Sequence, residues 1–352
     1  MHLDPVRVKG TIRRWTSQLT LRETLKEALV RKSTIFMVVA FGSFMAGRPP
    51  FCLEPVHLAL ASRSFQYTIF PLAQERGYMK EEGIDLRIVQ MQTTPGIQAL
   101  ITDNVQFSGS GSSALVAIAR GGAPLKTILA VNDKVHQWLY VRPNMAGVKD
   151  LKGKKIATTG LAAAATFMLK QVLPKYGLDG NKDVTFITAP TGNRLTILVS
   201  GVVEGSILST EDRYPALEQG MKEVLYFGNE VKNSWGTVAT SDRFIKEKPK
   251  LMAGFMRAML KAVRFLRKDR ETTINTAAKF TGMQKPLAAR MYDDLLNTFT
   301  ANGTVDEETQ RNDLAIVAQV AGVSDPIAPA RAYDFSFALE ADQQLNKQGW
   351  KP

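Results

Sequence analysis

Cysteine and histidine are scarce. One cysteine, Cys52, and three histidines occur in 352 residues. A lone cysteine rules out an intrachain disulfide, and residues this few and scattered give no Cys/His zinc spacing, so no metal site is expected. There is no low-complexity tract, and no Lys/Arg stripe interleaved with aromatics. The net charge of +12 therefore does not mark a nucleic-acid binder. Half of it lies in residues 1–50, where nine basic residues face three acidic ones. No apolar run reaches the roughly 20 residues of a comfortable membrane span. Composition is otherwise that of a globular protein, 45% apolar and 22% charged, with length enough for two domains.

Residues 1–50 read as a leader. Arg31 and Lys32 precede an uncharged apolar segment at 34–46, followed by Arg48-Pro49-Pro50. Basic residues, then a short apolar run, then small residues are the pattern of a secretory signal. A translation start near Val30 would leave a compact one. The expected location is the periplasm, with membrane tethering if the leader is not cleaved. Cys52 follows Pro-Pro-Phe, not the small residues of a lipoprotein anchor.

From Val56 onward strand-like and helix-like segments alternate. Short apolar runs at 56–61, 86–91, 105–108, 124–131 and 136–141 have strand character. A second series follows at 155–159, 183–188, 206–208, 223–228 and 234–241. After Asp242 the pattern is helical, with Pro249 and Pro286 suited to first turns. Alternating strands and helices indicate layered α/β units with mainly parallel sheets. The expectation is two lobes, 56–141 plus 235–350 and 142–234, with the chain crossing near 140 and 235.

Four stretches resemble the type 2 periplasmic binding proteins, in the branch that takes alkanesulfonates, taurine, nitrate and thiamine pyrimidines. They are PLAQERGYMKEEGIDLRIV (71–89), FSGSGSSALVAIARGGAPLKTI (107–128), VKDLKGKKIATTG (148–160) and TSDRFIKEKPKLMAGFMRAMLKAVRFL (240–266). Together they span about residues 56–300. The resemblance implies a two-lobed clamp, each lobe a mainly parallel sheet flanked by helices, that passes a small solute to the permease subunits of an ABC importer. It implies a monomer with no cofactor, no catalytic residue and no nucleic-acid partner. Thiamine-pyrimidine synthases on this fold use a histidine and a Cys-rich loop, and the loop is missing here. A synthase-like enzyme and a ligand-sensing domain are the alternatives.

In open α/β sheets ligands bind beyond the carboxyl ends of strands, where helix N-termini expose N–H groups. Four turns stand at such places. At 61–67, Arg63 suits a sulfonate or carboxylate unless it is a solvated surface residue, and Phe65 or Tyr67 could stack on a ligand unless Phe65 packs in the core. Ser64 either faces the ligand or caps the next helix. At 109–113, Ser110, Gly111 and Ser112 offer N–H groups and hydroxyls, unless this is a plain turn capped by Ser112. Thr159, Gly160 and Leu161 form the equivalent turn of the second lobe, through backbone contacts for the most part. Ser209 and Thr210 precede a helix that opens with Glu211, a residue that gains from the helix dipole and would disfavour anions in a cleft. The expected solute is small and polar or anionic, such as a sulfonate or carboxylate.

Overall fold

The structure, a computed structural model, describes residues 53–352. The expected leader with its signal-like segment 34–46, and Cys52, lie outside the described residues. The strands are β1 (Glu54–Leu60), β2 (Ile84–Gln90), β3 (Phe107–Ser108), β4 (Leu125–Asn132), β5 (Gln137–Val141), β6 (Lys154–Thr158), β7 (Val184–Thr188), β8 (Gly205–Ser209), β9 (Lys222–Tyr226) and β10 (Trp235–Ser241). They form two five-stranded sheets, ordered β2-β1-β3-β10-β4 and β7-β6-β8-β5-β9.

In β1, Val56, Leu58, Ala59 and Leu60 are all buried, as a strand covered on both faces requires. β1 pairs in parallel with β2 and β3, and β6 likewise with β7 and β8. Each sheet contains one counter-running strand: β10 is antiparallel to β3 and β4, and β5 to β8 and β9. These are the strands that arrive from the opposite sheet.

That arrangement corrects one boundary. Residues 137–141 were expected to close the first lobe, but β5 lies in the second sheet, Gln137 opposite Ser209 and Val141 opposite Gly205. The joints between sheets are therefore residues 133–136 and 227–234. Strand pairing decides this, because an apolar five-residue run fits either sheet equally well.

The helices that position the site are α1 (Ile69–Glu75), α2 (Gly111–Gly121), α3 (Ala164–Val172), α4 (Thr210–Glu218), α5 (Pro249–Lys268), α6 (Arg270–Thr281), α7 (Lys285–Leu295), α8 (Glu307–Ala321) and α9 (Ser336–Lys347). Pro249 opens α5, where a missing N–H costs nothing. Met252, Phe255, Met256, Met259, Leu260 and Val263 then form a buried stripe at helical spacing. It packs against α1 and α9 and places Phe255 flat on Phe107 of β3, ring centres 3.8 Å apart. Burying such a ring contributes about 2–3 kcal/mol. Gly122 ends α2 in the left-handed conformation at φ 65°, the residue that does so most cheaply.

Candidate functional site

The four turns stand at the carboxyl ends of β1, β3, β6 and β8. Tyr67 ties the first to the second: its hydroxyl donates to the Gly109 carbonyl. The second lobe meets the first through α4, the helix of the fourth turn, whose Arg213 and Tyr214 donate to Asp294 of α7. The third and fourth are neighbours because β6 lies beside β8. The carboxyl ends of the two sheets thus face each other, and the lobes are closed far enough for side chains to touch.

In the first turn Ser64 does not cap the helix Phe65–Thr68 with its side chain. Its hydroxyl instead lies 2.9 Å from that of Ser62. Phe65 is fully buried, and of its two readings, ligand stacking and core packing, it takes the second. Arg63 is exposed, with its guanidinium 5.9 Å from the centre of the Phe280 ring on α6. The fork expected to receive an anion is turned onto an aromatic face there.

The second turn is shaped by packing. A Cβ on Gly111 would stand 2.3 Å from the Thr237 Oγ1 and 2.8 Å from the Thr237 carbonyl carbon. One on Gly109 would stand 2.5 Å from a Leu60 methyl. Only glycine lets the start of α2 come this close to β10 and β1. Ser110, not Ser112, occupies the N-cap position, and it makes no side-chain cap. Ser112 is exposed, and the hydroxyls of Ser110 and Ser112 are free to meet a ligand.

In the third turn Thr158 is buried and shares a 2.7 Å hydrogen bond with Thr166. The Thr166 hydroxyl donates to the Gly160 carbonyl at 2.7 Å, so Thr158 is the donor to Thr166. This pair fixes the turn and leaves Thr159 exposed and Leu161 at 61% exposure on its tip. In the fourth turn the Ser209 hydroxyl donates to Asp212 at 2.9 Å, and Thr210 is buried.

Glu211, singled out in the sequence, and two arginines that were not, Arg194 and Arg213, complete the charged groups here. Burial raises the Glu211 pKa, while hydrogen bonds from its own backbone, Ser209 and Ser64 pull the other way. Arg194 is 1% exposed, with one Nη donating to the Ile207 carbonyl and its Nε unpartnered. Burial lowers its pKa. Arg213 of α4 reaches Asp294 of α7 on the far side of the cleft, and Glu223 at 2.9 Å, with its guanidinium 5.2 Å from the Trp138 ring. Trp138 is 2% exposed and stacks on Tyr226, so it serves the core. Among the described residues no group of three His, Cys, Asp or Glu side chains could hold a metal ion.

Two sheets joined by two crossing segments, with their strand ends apposed, are the architecture of a type 2 periplasmic-binding-protein clamp. The chain belongs to the NMT1/THI5-like family, whose model matches residues 64–273. No curated protein sequence matches it. Among solved structures it is similar to the periplasmic sulfonate-binding protein SsuA of Methylobacillus flagellatus KT, at 18% identity and TM-score 0.71, over 86% of this chain and 97% of that one. It is similar to the periplasmic nitrate-binding protein NrtA of Synechocystis PCC 6803, at 13% identity and TM-score 0.64, over 83% and 89% of the chains. The desulfurization enzyme DSZB shares the fold as well, at 12% identity and TM-score 0.67, over 83% and 99%.

Proposed function

We propose that this protein is the extracytoplasmic solute-binding component of an ABC importer, closing its lobes on a small polar or anionic organic solute for delivery to membrane permease subunits. The observation that carries the reading is the Arg213–Asp294 pair, which joins the helix after the fourth turn to a helix of the other lobe. A clamp of this kind works by hinge closure around a ligand. Membership of the NMT1/THI5-like family and likeness in fold to sulfonate- and nitrate-binding proteins support it. No helix among the described residues is long and apolar enough to cross a membrane. Export therefore depends on the leader.

Of the arginines around the turns, Arg63 lies on Phe280, Arg213 is paired, and Arg194 is buried. Glu211 and Asp212 put negative charge at the start of α4, in the fourth turn. The solute then carries an N–H or O–H donor in addition to any anionic group, which separates sulfonates and carboxylates bearing an amine or hydroxyl from simple anions.

The experiment is a thermal-shift panel on the mature protein with sulfonates, carboxylates, nitrate and pyrimidines, followed by mass analysis of any stabilising compound. A ligand at 100 times its Kd adds about 2.7 kcal/mol. Stabilisation with the compound recovered intact supports the reading. Conversion of the compound would favour the enzyme reading that the DSZB fold makes worth testing, and stabilisation by apolar compounds alone would remove the polar-solute assignment.

A further inference from the structure

The C-terminal segment falls within the expected first lobe, 56–141 plus 235–350. It also grips both joints between the lobes. At the first joint, the Thr298 Oγ1 accepts from Asn132 Nδ2 at 3.1 Å and lies 2.8 Å from His136 Nε2. The Thr298 hydroxyl itself donates to the Leu295 carbonyl at 2.7 Å, so the imidazole nitrogen is the donor in that contact. The Thr298 carbonyl accepts from the Asp133 N–H at 2.9 Å.

At the second joint, Asp313 of α8 accepts from Asn233 Nδ2 at 2.9 Å, the Ser234 N–H at 3.0 Å and the Ser234 hydroxyl at 2.6 Å. Tyr333 adds a fourth donor at 3.1 Å. Asp313 is 8% exposed, and a buried carboxylate stripped of its donors is strongly destabilising. Lys232 is held from outside, by Asp306 at 2.7 Å, Glu308 at 2.5 Å and the Asn312 side chain on its carbonyl at 3.0 Å.

The same helix is seated in both lobes. Leu314 and Val317 join a core with Leu115 and Ile118 of α2, while Ile316 joins a core with Met168 and Leu169 of α3. Between the joints and this segment lies a hollow of about 470 Å³, lined by Asp133, Lys134, Glu230, Lys232, Asp306 and Thr309 among others. The joints are therefore not packed solidly on each other here and have room to bend.

We propose that residues 296–313 are a hinge brace, whose grip on Asn132–His136 through Thr298 and on Lys232–Ser234 through Asp313 sets how far the lobes open. Asn233 and Ser234 move with α8, because separating them from Asp313 would leave a buried charge unpaired. Opening is taken up by the backbone on either side of the grips, and the exposed Lys232 bridges yield first.

The test is a spin-label distance measurement across the lobes of the solute-free protein. The labels are Thr94→Cys and Asn193→Cys, with Cys52→Ser. The brace variants are Asp313→Asn and the milder Lys232→Ala/Asn312→Ala. Both are expected to broaden the distance distribution and lengthen its mean by several ångströms, Asp313→Asn more than the double variant. Arg270→Ala, which removes an exposed ion pair to Asp293 away from the joints, is expected to leave the distribution as it was. Should Asp313→Asn fail to fold, the double variant decides alone. An unchanged distribution in folded brace variants overturns the proposal, as does equal broadening in Arg270→Ala. The measurement uses no solute, so either failure leaves the transport reading standing.

Discussion

Glu211 sits beside Asp212 in the first turn of α4, where burial above all, and the neighbouring charge, raise its pKa. A half-buried carboxylate without an ion pair is held at a cost. A donor-bearing solute that met it would offset that cost. Function and stability should therefore respond in opposite directions to its removal.

Glu211→Gln should melt at the same or a higher temperature at pH 7 and bind its solute more weakly. The sign follows from the raised pKa. The folded state holds the proton longer than the unfolded one, so the penalty is absent below the usual glutamate range and grows as pH rises through and above it. Wild-type stability should lose this contribution on raising the pH from about 4.5, and the variant should not. Chemical denaturation at several pH values, with binding of the panel's best ligand, checks both. A variant that is less stable at pH 7 would count against the buried-charge account.

His136 should make the fold acid-sensitive. It is 1% exposed, and burial pushes its pKa down to about 3. The unfolded chain takes the proton near 6.5, so stability is complete above that pH and falls as pH drops from 6.5 towards 3. The full slope is about 1.4 kcal/mol per pH unit. His136→Gln should be less stable at pH 7.5 yet lose about 1–2 kcal/mol less than wild type between pH 7.5 and 5.0 in urea unfolding. Equal losses would show that other groups carry the acid response.

Gly111→Ala should cost about 1–3 kcal/mol or more, because its Cβ would enter Thr237. Gly121→Ala, at the other end of α2 with nothing within 4 Å of its Cβ, should be neutral or stabilise by up to about 1 kcal/mol. Thermal melting of the pair separates packing from propensity, and equal shifts would contradict it.

Arg213 and Asp294 couple α4 to α7 across the cleft, with Tyr214 also on Asp294. Their side chains are 22% and 31% exposed, between the surface and buried regimes. A double-mutant cycle with Arg213→Ala and Asp294→Ala should give a coupling of about 1 kcal/mol. A coupling of zero would mean that the pair contributes nothing to closure.

Much of the local structure was legible in the residues. The apolar run at 56–61 and the helix opening at Pro249 each became the element expected. Apolar period, first-turn proline and left-handed glycine act within a few residues. The positions of the four turns followed from the same signals. The orientation of their side chains did not. Arg63 looked like an anion fork, and Phe65 like a stacking surface, until Phe280 and the core claimed them.

The sequence alone determined that this is an α/β chain of two lobes with turns at strand ends, since hydrophobic period and turn chemistry are local properties. Only the tertiary structure decided that β5 crosses into the second sheet, that Arg213 meets Asp294, and that Thr298 and Asp313 hold the two joints. Each of these depends on hydrogen bonds between residues far apart along the chain, and no short stretch of sequence specifies which distant donor will find which acceptor.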